Sequence, residues 1–126
     1  MPLNSVTSER PVADAVERLV AAVQRRGITV FARIDHAAGA RAAGLELADE
    51  VVLVFGDPRS GTALMQADAT VGIELPLRVL VWDDGATTRL GYRDPVALAG
   101  DYAVGDALEV LERMRGLLAA LVAEAV

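Results

Sequence analysis

The spacing of the apolar residues changes at Gly27, and this change constrains the fold more than any other feature of the chain. Before Gly27, apolar side chains recur every three or four residues, which is typical of a helix with one buried face. From residue 28 to residue 35, apolar and polar residues alternate, which is typical of a half-buried β-strand. We therefore predict a helix that starts at Pro11 and stops at Gly27, followed at once by a strand. The buried helix face is expected to comprise Val12, Ala15, Val16, Leu19, Val20 and Val23.

Three further elements are predicted in the first half of the chain. Residues 4–7 form a candidate edge strand, and the alanine-rich residues 36–43 predict a short helix closed by Gly44. Residues 51–55 are apolar throughout, as in a central strand. Within the strand over residues 28–35, the alternation predicts two faces. One would carry Ile28, Val30, Ala32 and Ile34, and the other Thr29, Phe31, Arg33 and Asp35.

A short helix and a hairpin are predicted in the middle of the chain. Residues 60–66 predict the helix, with Ser60 or Thr62 as its cap. Residues 77–82 and 87–92 predict two antiparallel strands, joined by a two-residue turn at Asp84 and Gly85.

The last helix has the clearest signals at its start. Asp106 is the expected cap, Glu109 completes a capping box, and Arg113 stands one turn after Glu109. Long amphipathic helices at both ends, with strands between them, predict a two-layer α+β fold with the two helices on one face of a mostly antiparallel sheet. The apolar residues of the last helix are Val110, Leu111, Met114, Leu117, Leu118, Leu121 and Val122.

The other face of this sheet is expected to be apolar as well. Such a surface needs a cover, which the connections at residues 36–50 and 56–76, a ligand or a second copy could provide. A homodimer is the simplest of these answers. The residues predicted on this face are Phe31, Leu80, Trp82, Leu90 and Tyr92.

Composition excludes several classes of protein. The 126 residues suit one domain over residues 1–126, and 53% hydrophobic with 24% charged residues is typical of a soluble globular protein. The start of the chain carries no secretion signal, so we expect a cytoplasmic protein, and the apolar runs are too short to cross a membrane. A net charge of -6 with dispersed arginines argues against nucleic-acid binding. Without cysteine or lysine, thiolate and Schiff-base chemistry are excluded.

Three segments of the chain carry a family resemblance. Residues 28–40, 54–66 and 74–77, which read ITVFARIDHAAGA, VFGDPRSGTALMQ and ELPL, resemble the DUF302 family, also called TT1751-like. The resemblance covers most of the chain and implies a β-α-β(4)-α fold, similar to one half of the TATA-box-binding protein. It implies no activity, because the function of the family is unknown, and similarity of fold does not imply TATA-box binding.

The segment from Gly56 to Thr62 is the first candidate for chemistry. Its pattern of strand, GxxxxG, threonine and helix is that of a phosphate-binding loop without the required lysine, so nucleotide hydrolysis is not expected. Weaker anion binding remains open, through backbone N–H groups at the helix start and the guanidinium of Arg59. The alternative is a tight turn at Asp57 and Pro58 that caps the helix and leaves Arg59 in solvent.

His36, the only histidine, is the second candidate. It could transfer protons near neutral pH if Ser60 or Thr62 lay within hydrogen-bonding reach, or it could simply cap a short helix. A metal would need three or four converging ligands from His36, Asp35, Asp57 and Glu74, so we predict no metal site and name no cofactor. Phe31, Phe55, Met65 and Trp82 could line an apolar pocket or fill the core.

Together these patterns predict a homodimer that binds a small molecule or an anion and has no catalytic activity. Two alternatives remain open: an enzyme that uses His36 as general acid or base, and a pure protein-interaction module. The expected site residues are Asp35, His36, Phe55, Gly56, Arg59, Gly61, Thr62, Met65 and Glu74.

Overall fold

The computed structural model describes residues 2–126 and contains one five-stranded sheet with the strand order β1-β5-β4-β3-β2, in which every neighbouring pair is antiparallel. The predicted α+β class is confirmed. The strands are β1 (Asn4–Ser8), β2 (Thr29–Asp35), β3 (Glu50–Gly56), β4 (Leu77–Asp83) and β5 (Thr88–Tyr92). The helices are α1 (Val12–Arg25), α2 (His36–Ala42), α3 (Pro58–Ala67) and α4 (Leu108–Ala125), with short 3-10 turns at Ala69–Glu74, Pro95–Gly100 and Gly105–Ala107.

The main core lies between one face of the sheet and the helices α1 and α4. We call this the covered face, defined by Leu53, Phe55, Val79, Val81 and Leu90, all of which are fully buried. The two helices bury the apolar faces that the sequence predicts, because positions three and four residues apart share one side of a helix. They contribute Val16, Leu19 and Val23 from α1 and Leu118, Leu121 and Val122 from α4.

A second core cluster lies around the first half of α4. Leu64 of α3 and Val71 of the following turn pack there with Leu111 and Met114 of α4. The connection over residues 56–76 therefore packs against α4. Of the possible covers of the second face of the sheet, this segment is not the main one, because its buried apolar side chains fill this separate core.

The second face of the sheet is the open face, defined by Ile34, Val52, Val54, Leu80, Trp82 and Gly91. Apart from Gly91, which is buried, these residues keep partial exposure, up to 47% for Ile34. They alternate along the strands with those of the covered face. Leu80 and Trp82 lie here as predicted. Leu90 and Tyr92 do not, because Leu90 pairs with Val81 and both join the main core.

A β-bulge at Phe31 corrects the predicted faces of β2. Val30 pairs with Phe55 and Ala32 with Val54, so Phe31 is an extra residue, and every later side chain changes face. Arg33 consequently points to the helices, where it forms an ion pair with Glu17 of α1 at 2.6 Å. Ala32 and Ile34 lie on the open face instead of sharing a face with Val30.

The ends of three helices differ from the predictions. Pro11 is the cap of α1 rather than its first residue, and Gly27, with φ +69°, ends the turn that follows. Helix α3 starts at Pro58, two residues early, with Asp57 as its cap. Helix α4 has no side-chain cap, because Asp106 lies in a preceding 3-10 turn.

Two contacts complete the account of the second half of the chain. The predicted pair of Glu109 and Arg113 forms at 3.0 Å. The hairpin turn spans residues 84–87, two more than predicted, and is held by the Asp84 carboxylate, which accepts from the N–H groups of Ala86 and Thr87.

Within residues 2–126, none of the helices has the length and apolar character required to cross a bilayer.

Candidate functional site

A cleft of about 280 Å³ lies where β3 ends and α3 begins. Its lining is mostly apolar, and its volume is near the lower end of the range for small-molecule sites. Helix α4 forms one wall with Met114 and Leu117. The bulge residue Phe31, Gly56, Gly61, Thr62, Met65 and Leu75 form much of the rest.

Asp57 caps the first turn of α3 with its side chain and its backbone oxygen. The Asp57 carboxylate accepts from the N–H of Arg59 at 3.0 Å, and its backbone oxygen accepts from Ser60 and Gly61 at 3.1 and 3.2 Å. Pro58, at the first helical position, needs no partner because it has no N–H. The N–H groups that could have bound an anion are therefore used by Asp57.

The guanidinium of Arg59 is also bound to this cap. Its Nε and Nη2 atoms donate to the two carboxylate oxygens of Asp57 at 3.1 and 3.0 Å, while 90% of the side chain stays exposed. The hydrogen bond from Arg59 lowers the pKa of Asp57, and the same bond raises the pKa of Arg59. The geometry corresponds to the alternative interpretation, a capped turn with Arg59 in solvent, and offers no fork to an anion in the cleft.

Two glycines keep the walls of the cleft close together. A Cβ atom on Gly56 would lie 3.4 Å from Pro76 Cβ and 3.7 Å from the ring of Phe31. A Cβ on Gly72 would lie 3.2 Å from the sulfur of Met65. Side chains here would fill the cleft, whereas the flexible thioether of Met65 can adjust to an occupant.

Asp35 and His36 do not join this cleft. Asp35 pairs with Val51 at the start of β3, whereas the cleft is at the other end, five residues along, which is about 16 Å for an extended strand. Asp35 caps α2 by accepting from the N–H of Ala38 at 2.9 Å, and His36, the first residue of α2, is exposed. The expected single site of His36 and the segment after Gly56 is therefore wrong.

The same separation bears on catalysis. Ser60 and Thr62 follow Gly56 at the far end of β3, so neither hydroxyl lies within hydrogen-bonding reach of His36. Without that contact, the arrangement lacks the pair of nucleophile and base that acid/base chemistry on a hydroxyl requires. Within residues 2–126, no three His, Asp or Glu side chains come close enough together to hold a metal ion.

Two more predicted site residues lie elsewhere. Phe55 is fully buried in the main core, on the covered face. Glu74 lines a separate cavity of about 220 Å³ with Arg78, Leu80 and Asp94. The two cavities are neighbours that share Leu75 and Leu77 as a common wall.

The cleft also contains residues that the sequence reasoning did not assign to it. Met114 and Leu117 belong to the apolar set of α4, and their spacing indicates burial without indicating what they face. Gly72, by contrast, gave a usable signal, because an isolated glycine beside an apolar segment often marks a close approach.

Comparison with known proteins agrees with this architecture. The family model of the domain of unknown function DUF302 matches residues 4–121. The crystal structure of an uncharacterized conserved DUF302 protein from Bacillus stearothermophilus superposes with a TM-score of 0.89 and covers 100% of this chain and 99% of its own, at 21% sequence identity. At that identity, the likeness shows the fold alone.

Curated relatives from Brucella include two proteins that are both named fluoride-specific ion channel FluC 1. The protein from Brucella suis biovar 1 is 42% identical over 104 residues, which cover 82% of this chain and 41% of the relative. The protein from Brucella abortus biovar 1 has the same identity and coverage of this chain, with 38% of the relative covered. This chain therefore spans about two-fifths of these relatives. The family match over residues 4–121 establishes that the chain belongs to the DUF302 family.

Proposed function

We propose that this domain binds a small, uncharged and mainly apolar molecule in the cleft beside α3, that it does so without catalysis, and that it works as a homodimer. The observation that carries the proposal is the lining of the cleft, where Gly56, Gly61 and Met65 meet the apolar wall of α4. These three residues belong to one of the segments by which the chain resembles its family.

The electrostatics of the cleft favour an uncharged ligand. Arg59, the cation in the first turn of α3, is paired with Asp57, and the chain carries a net charge of -6. An anionic ligand would have to displace the Asp57 carboxylate from the start of α3, where it already makes charge-assisted hydrogen bonds. We therefore favour the small-molecule part of the expectation over the anion part.

A substitution that fills the cleft tests this proposal. Gly61→Leu places a branched side chain beside Leu75 and Met65, since a Cβ there already lies 3.6 and 3.8 Å from them. Gly39→Leu is the matched control, because Gly39 also lies in a helix and has nothing within 4 Å of its Cβ position.

The probe is naphthalene, titrated into isotope-labelled protein while the amide resonances are followed by NMR. In the wild type and in Gly39→Leu, we expect shifts that cluster at Gly56, Gly61 and Gly72, and in Gly61→Leu we expect them to disappear. Shifts of equal size in both variants, or no clustered shifts in the wild type, would contradict binding in the proposed cleft.

A second candidate function follows from the curated relatives. Because the segment that matches this chain is about two-fifths of proteins named fluoride-specific ion channels, the domain is a candidate accessory module of an ion channel. The test is to delete the matching segment from the Brucella suis relative and to measure fluoride efflux from proteoliposomes. Under this candidate, the truncated protein exports fluoride at a different rate and grafting this chain restores the original rate, whereas unchanged efflux eliminates it.

A further inference from the structure

Two polar side chains are buried among residues 2–126, those of Ser8 and Thr88, and both lie in one row across the sheet. Ser8 of β1 pairs with Thr88 of β5, and Thr88 pairs in turn with Asp83 of β4. Paired residues of neighbouring strands project from the same face of a sheet. The row therefore places two hydroxyls and one carboxylate side by side, at the end of the covered face.

The two buried hydroxyls differ in their hydrogen bonds. Ser8 Oγ donates to the backbone oxygen of Val126 at 3.4 Å and accepts from the N–H of Arg10 at 3.1 Å. The Thr88 hydroxyl has no hydrogen bond to any of residues 2–126, although Thr88 is only 6% exposed. Burial of a hydroxyl without a hydrogen bond is unfavourable, so this group requires a partner from outside the chain.

The Thr88 hydroxyl is accessible from a surface cavity. This cavity, which we call the Thr88 cavity, has a volume of about 490 Å³ and lies between the segment that joins β1 to α1 and the hairpin turn. Across residues 2–126, each side-chain nitrogen or oxygen that is sealed from solvent has a hydrogen-bond partner. The unpaired oxygen of Thr88 is therefore not sealed, and a molecule in the cavity that Thr88 lines can reach it.

The charges around the Thr88 cavity favour a cation. Glu9 and Asp83 line it, and Glu9 has no hydrogen bond or ion pair to any of residues 2–126. Asp83 accepts from the N–H of Gly85 through Oδ1 at 2.8 Å, which leaves Oδ2 as a further acceptor. The cation of the lining, Arg10, donates from Nε to the backbone oxygen of Val126 at 3.1 Å. An anion would thus meet two carboxylates for one guanidinium.

Other charges close to the cavity leave this balance unchanged. Asp84, in the hairpin turn, forms an ion pair with Arg89 at 2.6 Å, so the two charges offset each other. A metal ion is not the expected cation, because two carboxylates and a hydroxyl are fewer protein ligands than Ca²⁺ usually takes, and within residues 2–126 no third His, Asp or Glu joins them.

We propose that the Thr88 cavity binds the ammonium group of a small primary amine. An ammonium group has three N–H donors and no acceptor. Asp83 Oδ2, the Thr88 hydroxyl and the Glu9 carboxylate supply three acceptors, and the two charged ones form the stronger, charge-assisted hydrogen bonds. The chain contains no lysine, so none of its own side chains supplies such a group.

Two ammonium probes that differ in their N–H groups test this proposal. Propylammonium chloride is titrated into the isotope-labelled chain at pH 7 while the amide resonances of Ser8, Gly85 and Thr88 are followed by NMR. Tetramethylammonium chloride carries the same charge without an N–H, and sodium chloride controls for ionic strength. We expect saturable shifts with propylammonium and at least about tenfold weaker binding of tetramethylammonium.

Two substitutions separate the hydroxyl from the carboxylate. Thr88→Val removes the hydroxyl at nearly constant shape and should raise the Kd for propylammonium by about fivefold or more. Because the hydroxyl has no partner in the chain, this variant should melt at a temperature no lower than the wild type. Asp83→Asn should raise the Kd by about tenfold. The matched controls, Thr29→Val and Asp101→Asn, change exposed residues outside the cavity and should bind like the wild type.

Three results would overturn the proposal. One is the absence of saturable shifts with propylammonium in the wild type. Another is an equal response to tetramethylammonium or sodium chloride, which would show that the cavity responds to charge alone. The third is a Thr88→Val protein that binds propylammonium as tightly as the wild type. Since the cleft beside α3 contains none of these residues, each of these results leaves the proposed function to its own test.

Discussion

The two faces of the sheet differ in what covers them: one face packs against α1 and α4, and the other remains partly exposed. On the covered face, Leu53 and Val79 are fully buried beneath α1 and α4. On the open face, Val52 and Leu80 occupy the neighbouring positions of the same two strands and remain partly exposed. Alternation along a strand thus separates residues that hold the fold together from residues available to a partner.

The largest expected contrast is between two leucines on adjacent strands. Leu53→Ala opens a cavity in the main core and should lower the free energy of unfolding by about 3 to 4 kcal/mol. Leu80→Ala should lower it by about 1 kcal/mol or less, because its side chain is already partly in water. Urea unfolding at protein concentrations low enough to keep the chain monomeric measures both, and equal losses would contradict the distinction between the faces.

A second contrast uses two glycines on opposite sides of the sheet. On the open face, a Cβ on Gly91 would lie 3.1 Å from the ring of Trp82 and 3.3 Å from Leu3. Gly91→Ala should therefore displace the indole, shift its fluorescence and cost about 1 kcal/mol. Gly116 in α4 has nothing within 4 Å of its Cβ position, so Gly116→Ala should stabilise the helix by about 0.5 to 1 kcal/mol. Unchanged Trp82 emission in Gly91→Ala would refute the close contact.

The turn between β4 and β5 should make the stability of the protein depend on pH in the acid range. The N–H of Thr87, the guanidinium of Arg89 and the N–H of Ala86 lower the pKa of Asp84 from 3.8 to about 2. Because the folded pKa lies below the unfolded value, the stabilisation is present above pH 3.8 and is lost as the pH falls through about 2.

Unfolding curves over this pH range check the assignment. Asp84→Asn should remove part of the acid-dependent loss of stability, while Glu46→Gln, in the exposed connection after α2, should leave the loss unchanged. An Asp84→Asn protein that loses stability as steeply as the wild type would show that the carboxylate is not held in this way.

The smallest expected effect tests the bulge. If Phe31 turns Arg33 to the covered side, Arg33 and Glu17 are coupled, with about 0.5 kcal/mol expected for a largely exposed ion pair. A double-mutant cycle with Arg33→Ala and Glu17→Ala measures this coupling. Zero coupling would favour the simple alternation, which sends Arg33 to the open face.

Local sequence patterns predicted most of the helices and strands. The features that they did not predict depend on the register between paired strands. The faces of α1 and the order of strands and helices followed from apolar spacing. The bulge at Phe31 did not, because an extra residue is defined only relative to β3. Leu90 and Tyr92 were assigned to the wrong face for the same reason, since the register with β4 sets the orientation of β5.

The predicted single site failed because the sheet topology separates Asp35 and His36 from the segment that follows Gly56. Consecutive antiparallel strands bring the end of the first beside the start of the second, so the Asp35 end of β2 lies far from Gly56. The predicted strand order implies this separation, whereas the shared family segments carry no information on which of them are close in space. The cap at Asp57, by contrast, was one of the two open interpretations of this segment, since Asp followed by Pro is a common helix start.

The pair formed by Asp57 and Arg59 has a consequence for the kinds of solute that the proposed cleft would exclude. Many abundant metabolites carry phosphate or carboxylate groups, and here the helix start that would attract them is neutralised by a residue of the same chain. Because Asp57 and Arg59 belong to the same chain, their ion pair forms without any bound ion. Under the proposed function, anions are therefore disfavoured by the chain's own carboxylate before the shape of a ligand matters.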